Sequence, residues 1–314
     1  IVAKKKGDAG RKMCRMLLIS LISMVLLGCV SPRQCRPPNL VFRDLETVER
    51  PADEQLLEIA ENVALFVPTG FAVPQNGVVF LTVHFHTAPW FAAEEHSRRG
   101  ATNPLLVYSG GTGSSAYQRP FEDRELFGLL LDQTASRLAV DTGRADVRIG
   151  DVEISSFSAG YGAVREILKE PRYVNGIQTV LLADSLYAGY ADSNGTARRP
   201  VYRHIAPFVE FARLAVDGQK RFLITYSSVV PGTYASTEEC ARSIVEAVGG
   251  EITPISSEHS SSISENLSYP IIARYDCGGF HVWGYAGDDA KAHLAHVRSI
   301  ANFWTALECD ALLQ

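Results

Sequence analysis

The chain lacks the features that would place it in several large classes. It carries no excess of positive charge: 30 Lys and Arg stand against 35 Asp and Glu, a formal net charge of −5 at pH 7. No basic stripe runs along it, so there is no electrostatic footprint for nucleic acid. It has no internal repeat and no heptad pattern, which argues against a solenoid or a coiled coil. Cysteine is sparse, six in 314 residues, and too widely spaced for a zinc site or a redox pair. What is left, 46% hydrophobic and 21% charged residues, is the composition of an ordinary globular protein.

The first residues stand apart from that composition. Lys4, Lys5, Lys6, Arg11, Lys12 and Arg15 form a positive region, and residues 16–27 are almost wholly apolar. The apolar run is too short to span a bilayer comfortably but suits the core of a signal peptide. It ends in Leu26-Leu27-Gly28-Cys29, which resembles the lipobox of bacterial lipoproteins. The resemblance implies that residues 1–28 are a removable signal, that Cys29 is lipidated, and that the protein is held in the bacterial cell envelope, facing the periplasm or the exterior. The competing reading is a short membrane anchor with an unrelated cysteine. The chain opens on Ile1, and Met13 would open a more compact signal. Residues 29–50 contain the proline-rich run 31–38 and read as a tether. In an oxidising compartment Cys35, Cys240, Cys277 and Cys309 allow three complete pairings, but one disulfide, or isolated small apolar side chains, is the better reading.

Residues 51–314 read as a single domain, with no linker-like break. Strands are predicted over residues 62–68, 78–86, 104–109, 151–154, 179–184, 220–226 and 269–275. Helices are predicted over 53–61, 122–138, 163–169, 205–216, 237–248 and 290–307, and residues 94–103 read as a polar connection. Strands alternating with helices predict an α/β fold, a mostly parallel central sheet with helices on both faces.

In such a sheet, functional groups gather just beyond the carboxyl ends of the strands. One of those ends is Ile154-Ser155-Ser156-Phe157-Ser158-Ala159-Gly160-Tyr161-Gly162, lying between a strand and a helix. Strand, then small-x-Ser-x-Gly, then helix is the pattern of a nucleophile elbow with Ser158 at its centre. The flanking residues, Ser156 and Gly160, are small because the turn is sharp. Asp184 ends the next predicted strand, and Cys277-Gly278-Gly279-Phe280-His281 follows the last one.

Ser158, Asp184 and His281 in that chain order resemble the α/β-hydrolase superfamily over roughly residues 63–307. The resemblance implies a catalytic triad: Ser158 as nucleophile, His281 as base and then acid, Asp184 orienting the imidazole. It implies an oxyanion hole of backbone N–H groups, one from Ala159 and one from His86 or Thr87. Many family members place the acid one strand later, where this chain reads Thr225-Tyr226-Ser227-Ser228 without a carboxylate. Asp184 instead fits the arrangement of pancreatic-type lipases; Glu238 and Glu239 are possible substitutes but read as helix N-terminal residues, and Asp192 falls in a loop. Among the other histidines, His204 falls at a helix start, His259 in a serine-rich loop, and His293 and His296 on the terminal helix, where a structural or exposed place is expected.

Two sharper motifs read more plainly. His84 and His86, two apart on a strand, share a face and would suit a metal with His96 or Asp184 as a third ligand, but no Asp/Glu/His cluster elsewhere has ligand spacing and the oxyanion loop accounts for the same residues. Neither a metal nor another cofactor is therefore expected. The Gly110-Gly111-Thr112-Gly113-Ser114-Ser115 run lacks the Lys-Ser/Thr ending of a nucleotide loop and reads as a pocket wall. The expected function is cleavage of an ester or amide in a small-molecule or acyl substrate through an acyl-enzyme. The alternatives are an envelope peptidase or amidase with the same residues, and a non-catalytic binding module on the same fold. Residues 187–207 and 256–268 flank the expected site and are candidates for a lid.

Overall fold

The computed structural model describes residues 36–44, 56–192, 198–255 and 268–311, the last three without their side chains. The signal region 1–28, Cys29, most of the tether and most of the second candidate lid lie outside the described residues.

In chain order the elements are β1 (Leu40–Val41), β2 (Leu56–Ala60), β3 (Val63–Phe66), β4 (Val78–Phe85), α1 (Pro89–Arg98), β5 (Leu105–Tyr108), α2 (Ser115–Phe121) and α3 (Leu126–Thr142). Then follow β6 (Arg148–Phe157), α4 (Tyr161–Ile167), α5 (Pro171–Gly176), β7 (Ile177–Ala183), α6 (Tyr202–Val216), β8 (Arg221–Tyr226) and α7 (Thr237–Ala247). The chain ends with β9 (Thr253–Pro254), β10 (Ser268–Tyr269), β11 (Ile271–Cys277), β12 (Phe280–Tyr285), α8 (Ala290–Arg298) and α9 (Ile300–Ala311). A 10-stranded sheet runs in the order β2-β3-β5-β4-β6-β7-β8-β12-β11-β9. The stretch from β5 to β12 is parallel throughout, and antiparallel strands finish both edges. This is the α/β architecture that the alternation of elements predicts.

Period-two alternation assigns side chains to the two faces. Val180 and Leu182 of β7, with Phe222 and Ile224 of β8, pack with residues of α3, α4, α6 and α7. Leu181, Ala183 and Leu223 point the other way, against Ile300, Phe303, Trp304 and Leu307 of α9. Each of the buried Val, Leu, Ile and Phe side chains contributes about 1.5–3 kcal/mol. The second face carries polar groups under α1 and α9. There the Arg99 side chain, almost fully buried, donates to Glu153 (2.8 Å) and Thr82 (2.8 Å) and lies 4.5 Å from the Trp304 ring centre. A buried charge is tolerated only when paired and hydrogen-bonded in this way.

Several local expectations are corrected. The helix predicted over 53–61 gives way, from residue 56 on, to edge strand β2, paired antiparallel with β3. The polar connection over 94–103 is largely helix α1: Pro89 opens it, Phe91, Ala92 and Ala93 bury its apolar side, and buried Glu95 pairs with Arg43 and Arg98. The long terminal helix is two helices, broken at Ser299, whose hydroxyl bonds the backbone of Val41. The strand predicted as last, over 269–275, is β11, and it turns back through a tight hairpin into β12. Gly278 makes that turn possible, with φ of 57° and a position where any Cβ would strike the Val216 carbonyl. Cys277 is disulfide-bonded while Cys240 is a buried free thiol, so Cys35, Cys240, Cys277 and Cys309 do not all pair.

Candidate active site

Strand β6 ends at Phe157, and the chain turns through Ser158–Gly160 into α4. Ser158 has φ of 47°, a left-handed conformation that costs a serine about 1–3 kcal/mol and persists only where the surroundings enforce it. One enforcing contact is steric: a Cβ at Gly160 would lie 2.6 Å from the Phe85 carbonyl oxygen. Another is a hydrogen-bond chain. The Ser185 hydroxyl donates to the Ser158 carbonyl (2.8 Å) and so accepts from buried Ser156 (2.8 Å). The small residues flanking Ser158 in the sequence are thus the ones that hold the turn.

The Ser158 hydroxyl lies 2.9 Å from Nε2 of His293, and Nδ1 of the same ring lies 2.8 Å from Oδ2 of Asp184. A carboxylate only accepts, so His293 carries its proton on Nδ1 and leaves Nε2 to accept from Ser158. Asp184 follows β7 directly, is almost fully buried, and also accepts from the Ser227 hydroxyl at the end of β8. Burial alone would push the Asp184 carboxyl up. The hydrogen bond from His293, the neighbouring imidazoles and the Ser227 hydroxyl more than reverse this and hold it below the usual carboxylate value.

His281 is not part of this set. It is the second residue of β12, which runs parallel to β8, so it sits near the amino end of its strand. The carboxyl end at Tyr285 is four residues away, roughly 13 Å at the usual strand rise. There His281 bonds Asp276 across the β11–β12 hairpin (2.6 Å). His293 reaches Ser158 because β12, not β11, delivers the chain to the carboxyl edge. Asp289 then caps α8, its carboxylate accepting from Ala292 N–H (2.7 Å), and His293 falls in the first turn. Sequence reasoning missed His293 by ending the sheet one strand early. The signal was present in the apolar Phe280–Tyr285 run behind a Gly-Gly turn.

The other expected residues divide. Ala159 lines the cleft beside Ser158. The backbone N–H of His86 donates to the Tyr108 carbonyl (3.1 Å), so it is taken up by the sheet and is not a free donor. Thr87, the next residue, remains the candidate from that loop. The His86 side chain lines the cleft, with Nδ1 2.7 Å from the Tyr117 hydroxyl, which itself donates to Gly111 O (3.0 Å). His86 stacks on Phe157, whose ring packs 4.6 Å from that of His293. Burial holds the His86 imidazole below its ordinary value, and the nearby His293 adds to this.

The paired-histidine motif comes apart in space. With φ of 71°, His86 breaks the strand alternation. His84 is instead buried on the second face, 2.8 Å from the Ser155 hydroxyl and edge-on to Trp304. Among the described residues no group of three metal-capable side chains comes together.

A cleft of about 1270 Å³ opens onto Ser158 and His293. Thr112, Gly113 and Ser114 form part of its wall, as the glycine-rich run predicts. Tyr161, Tyr187 and Tyr234 supply an aromatic side, and Arg165, Lys169, Arg203 and His204 a basic one. Of the first candidate lid, Tyr187, Ala188, Gly189, Arg203 and His204 line the cleft, and residues 193–197 lie outside the described residues.

No protein-family model matches the sequence, and no curated protein matches it. Among solved structures, an S-formylglutathione hydrolase from Agrobacterium tumefaciens aligns with TM-score 0.41 and 10% identity, over 82% of this chain and 98% of its own. A truncated carbohydrate esterase from gut microbiota aligns with TM-score 0.42 and 8% identity, over 83% and 100%. A ferulic acid esterase aligns with TM-score 0.41 and 10% identity, over 79% and 92%. Likeness at this level decides nothing about chemistry, which rests on this chain's own side chains.

Proposed function

We propose that the chain is a serine hydrolase of the α/β-hydrolase superfamily that cleaves an ester, or an amide, through an acyl-enzyme. The observation that carries this reading is the hydrogen-bonded series from Ser158 through His293 to Asp184, set on a strained turn facing a cleft. A serine hydroxyl is a weak nucleophile at neutral pH and needs a base within hydrogen-bond reach. His293 takes the proton from Ser158 as its oxygen attacks the carbonyl carbon, then gives that proton to the leaving alcohol or amine. Asp184 keeps the ring in the right tautomer and stabilises its charged form. The Ala159 N–H, and Thr87 from the loop after β4, are the proposed donors to the oxyanion. Water then repeats the attack on the acyl-enzyme with His293 again as base. An ester is favoured over an amide because its leaving group needs less assistance.

A fluorophosphonate probe tests the nucleophile. Wild-type protein should be labelled and Ser158→Ala protein should not; equal labelling of the two, or none of either, would refute the assignment. A panel of ester and peptide substrates then separates an esterase from an envelope peptidase or amidase. A non-catalytic module would leave both the probe and the panel untouched. The proposed envelope location rests on the lipobox-like Leu26-Leu27-Gly28-Cys29. Cys29→Ser should release the protein from the membrane fraction, and unchanged fractionation would remove that part of the reading.

A further inference from the structure

The basic side of the cleft has no part in the chemistry above. Helix α4 starts at the elbow and carries Tyr161, Arg165 and, just past its end, Lys169, at four-residue intervals that place them on one side. The Arg165 guanidinium lies 5.5 Å from the Tyr161 ring centre and donates to Gln118 (2.7 Å). Arg203 reaches the same wall from the first turn of α6, a turn with no acidic residue. The positive end of a helix dipole disfavours a cation at that position. Among the described residues one carboxylate serves the group: Glu166 pairs with both Arg165 (3.4 Å) and Lys169 (2.5 Å). Among the described residues Arg203 has no carboxylate partner, and its hydrogen bond runs to His204 (3.5 Å). The other acidic residues of the cleft, Asp288 and Asp289, stand at the start of α8 with His293, and Asp289 caps that helix. The wall therefore holds more positive charge than its own carboxylate neutralises. His204 registers the excess: partial burial, then the charges of Arg165, Arg203 and Lys169, hold it below the ordinary imidazole value.

We propose that Arg165, Lys169 and Arg203 form an anion-binding arm of the cleft, so that the preferred substrate is an ester carrying a negatively charged group at a distance from the bond that is cleaved. This rests on Ser158 being the nucleophile. The distance follows from the helix. Arg165 lies seven positions after Ser158, roughly 10 Å at the helical rise, and Lys169 lies about one turn further on. Tyr161 stands between Ser158 and Arg165 along the chain, and Tyr187 and Tyr234 extend its ring contacts, giving the intervening part of a substrate an apolar surface.

The test compares p-nitrophenyl monoesters of dicarboxylic acids of increasing length with the matching neutral alkanoate esters. Acetate esters of hydroxyalkanoic acids, set against the corresponding alkyl acetates, cover an anion on the alcohol side. In at least one series kcat/KM should favour the anionic ester by about tenfold at low salt, a gain expected of charge-assisted hydrogen bonds. The preference should peak at the longer chains and fall with added salt. In Arg203→Gln and Lys169→Gln proteins it should shrink mainly through a higher KM for the anionic ester, and Lys169→Arg should restore it. Equal kcat/KM for charged and neutral esters in both series, or a preference that survives the double Gln substitution, would overturn the arm. Normal probe labelling in that case would leave the hydrolase reading standing. If neither labelling nor hydrolysis occurs, the hydrolase reading fails. Calorimetric binding of the intact monoesters to Ser158→Ala protein then decides the arm by itself: tighter binding of the charged member upholds it, and equal or absent binding rejects it.

Discussion

Which histidine serves Ser158 can be decided by a pair of substitutions, His293→Gln and His281→Gln. In the first, Ser158 loses the proton acceptor that lies 2.9 Å away, and the Asp184 carboxylate, almost fully buried, loses one of its two hydrogen-bonding side chains among the described residues, at 2.8 Å. Removing the base of such a set costs about 10⁴-fold or more in kcat, roughly 5 kcal/mol of transition-state stabilisation. The carboxylate, left with the Ser227 hydroxyl, adds about 1–3 kcal/mol of lost stability. In the second, the damage is a bond to Asp276 at the opposite edge of the sheet. Its loss is worth about 1 kcal/mol of stability and should leave kcat/KM within about twofold of wild type. The assay is initial-rate hydrolysis of a p-nitrophenyl ester, with thermal unfolding run alongside to show that both proteins are folded. A folded His281→Gln protein without activity beside an active His293→Gln protein would refute the reasoning outright.

Three further outcomes are expected. Asp184→Asn should keep the fold and lower kcat by about 10⁴-fold, since the amide favours the wrong imidazole tautomer. The depressed Asp184 carboxyl contributes stability above the unfolded carboxylate value of about 4 and loses it as pH falls through the lower folded value. The Asn variant should therefore lose less of its unfolding free energy over that acid range, and parallel curves would contradict this. His84, His96 and His296 are held neutral by burial, pushed down to about 3, 3 and 4. The unfolded chain takes up their protons below about pH 6.5, so stability should drop by up to about 1.4 kcal/mol per pH unit for each as pH falls from there towards 4. Urea unfolding at pH 7 and pH 5 measures it, and a flat profile would show that these rings are not sealed. Gly160→Ala drives a methyl into the Phe85 carbonyl and should cost several-fold in labelling by the probe, together with a lower melting temperature.

The parts of the site that were legible in the sequence are those encoded locally. Ser158 is announced by its own neighbours, because the sharp turn demands small residues within two positions on either side. Asp184 is announced by the apolar run it terminates. His293 lies too far from any motif to announce itself, and its place depends on where the sheet ends, a matter of strand pairing. Reading residues 269–275 as the last strand turned a hairpin into a loop and put His281 at the wrong edge. Helix α1 failed for a related reason. Glu95, His96 and Arg99 look solvated in sequence, but their side chains are buried through pairings that no local motif announces: Arg43 and Arg98 with Glu95, the Asn103 carbonyl seven residues on with His96, and the more distant Glu153 and Thr82 with Arg99. Residues 56–60 carry too short a pattern to separate a strand from a helix, and pairing with β3 decided it.

Helix α8 presents two imidazoles one turn apart that live in different worlds. His293 opens onto the cleft, while His296 is sealed beneath the helix with Nδ1 2.8 Å from the Thr225 hydroxyl. The same Thr225 accepts, through its carbonyl, the N–H of Asp184 (2.9 Å). One residue of β8 thus serves as a common datum for both Asp184 and His293, and the helix cannot roll without breaking His296 away from it. Loss of alignment and loss of structure in acid should then arrive as one event, because the proton that unseats His296 also unseats the ring beside Ser158.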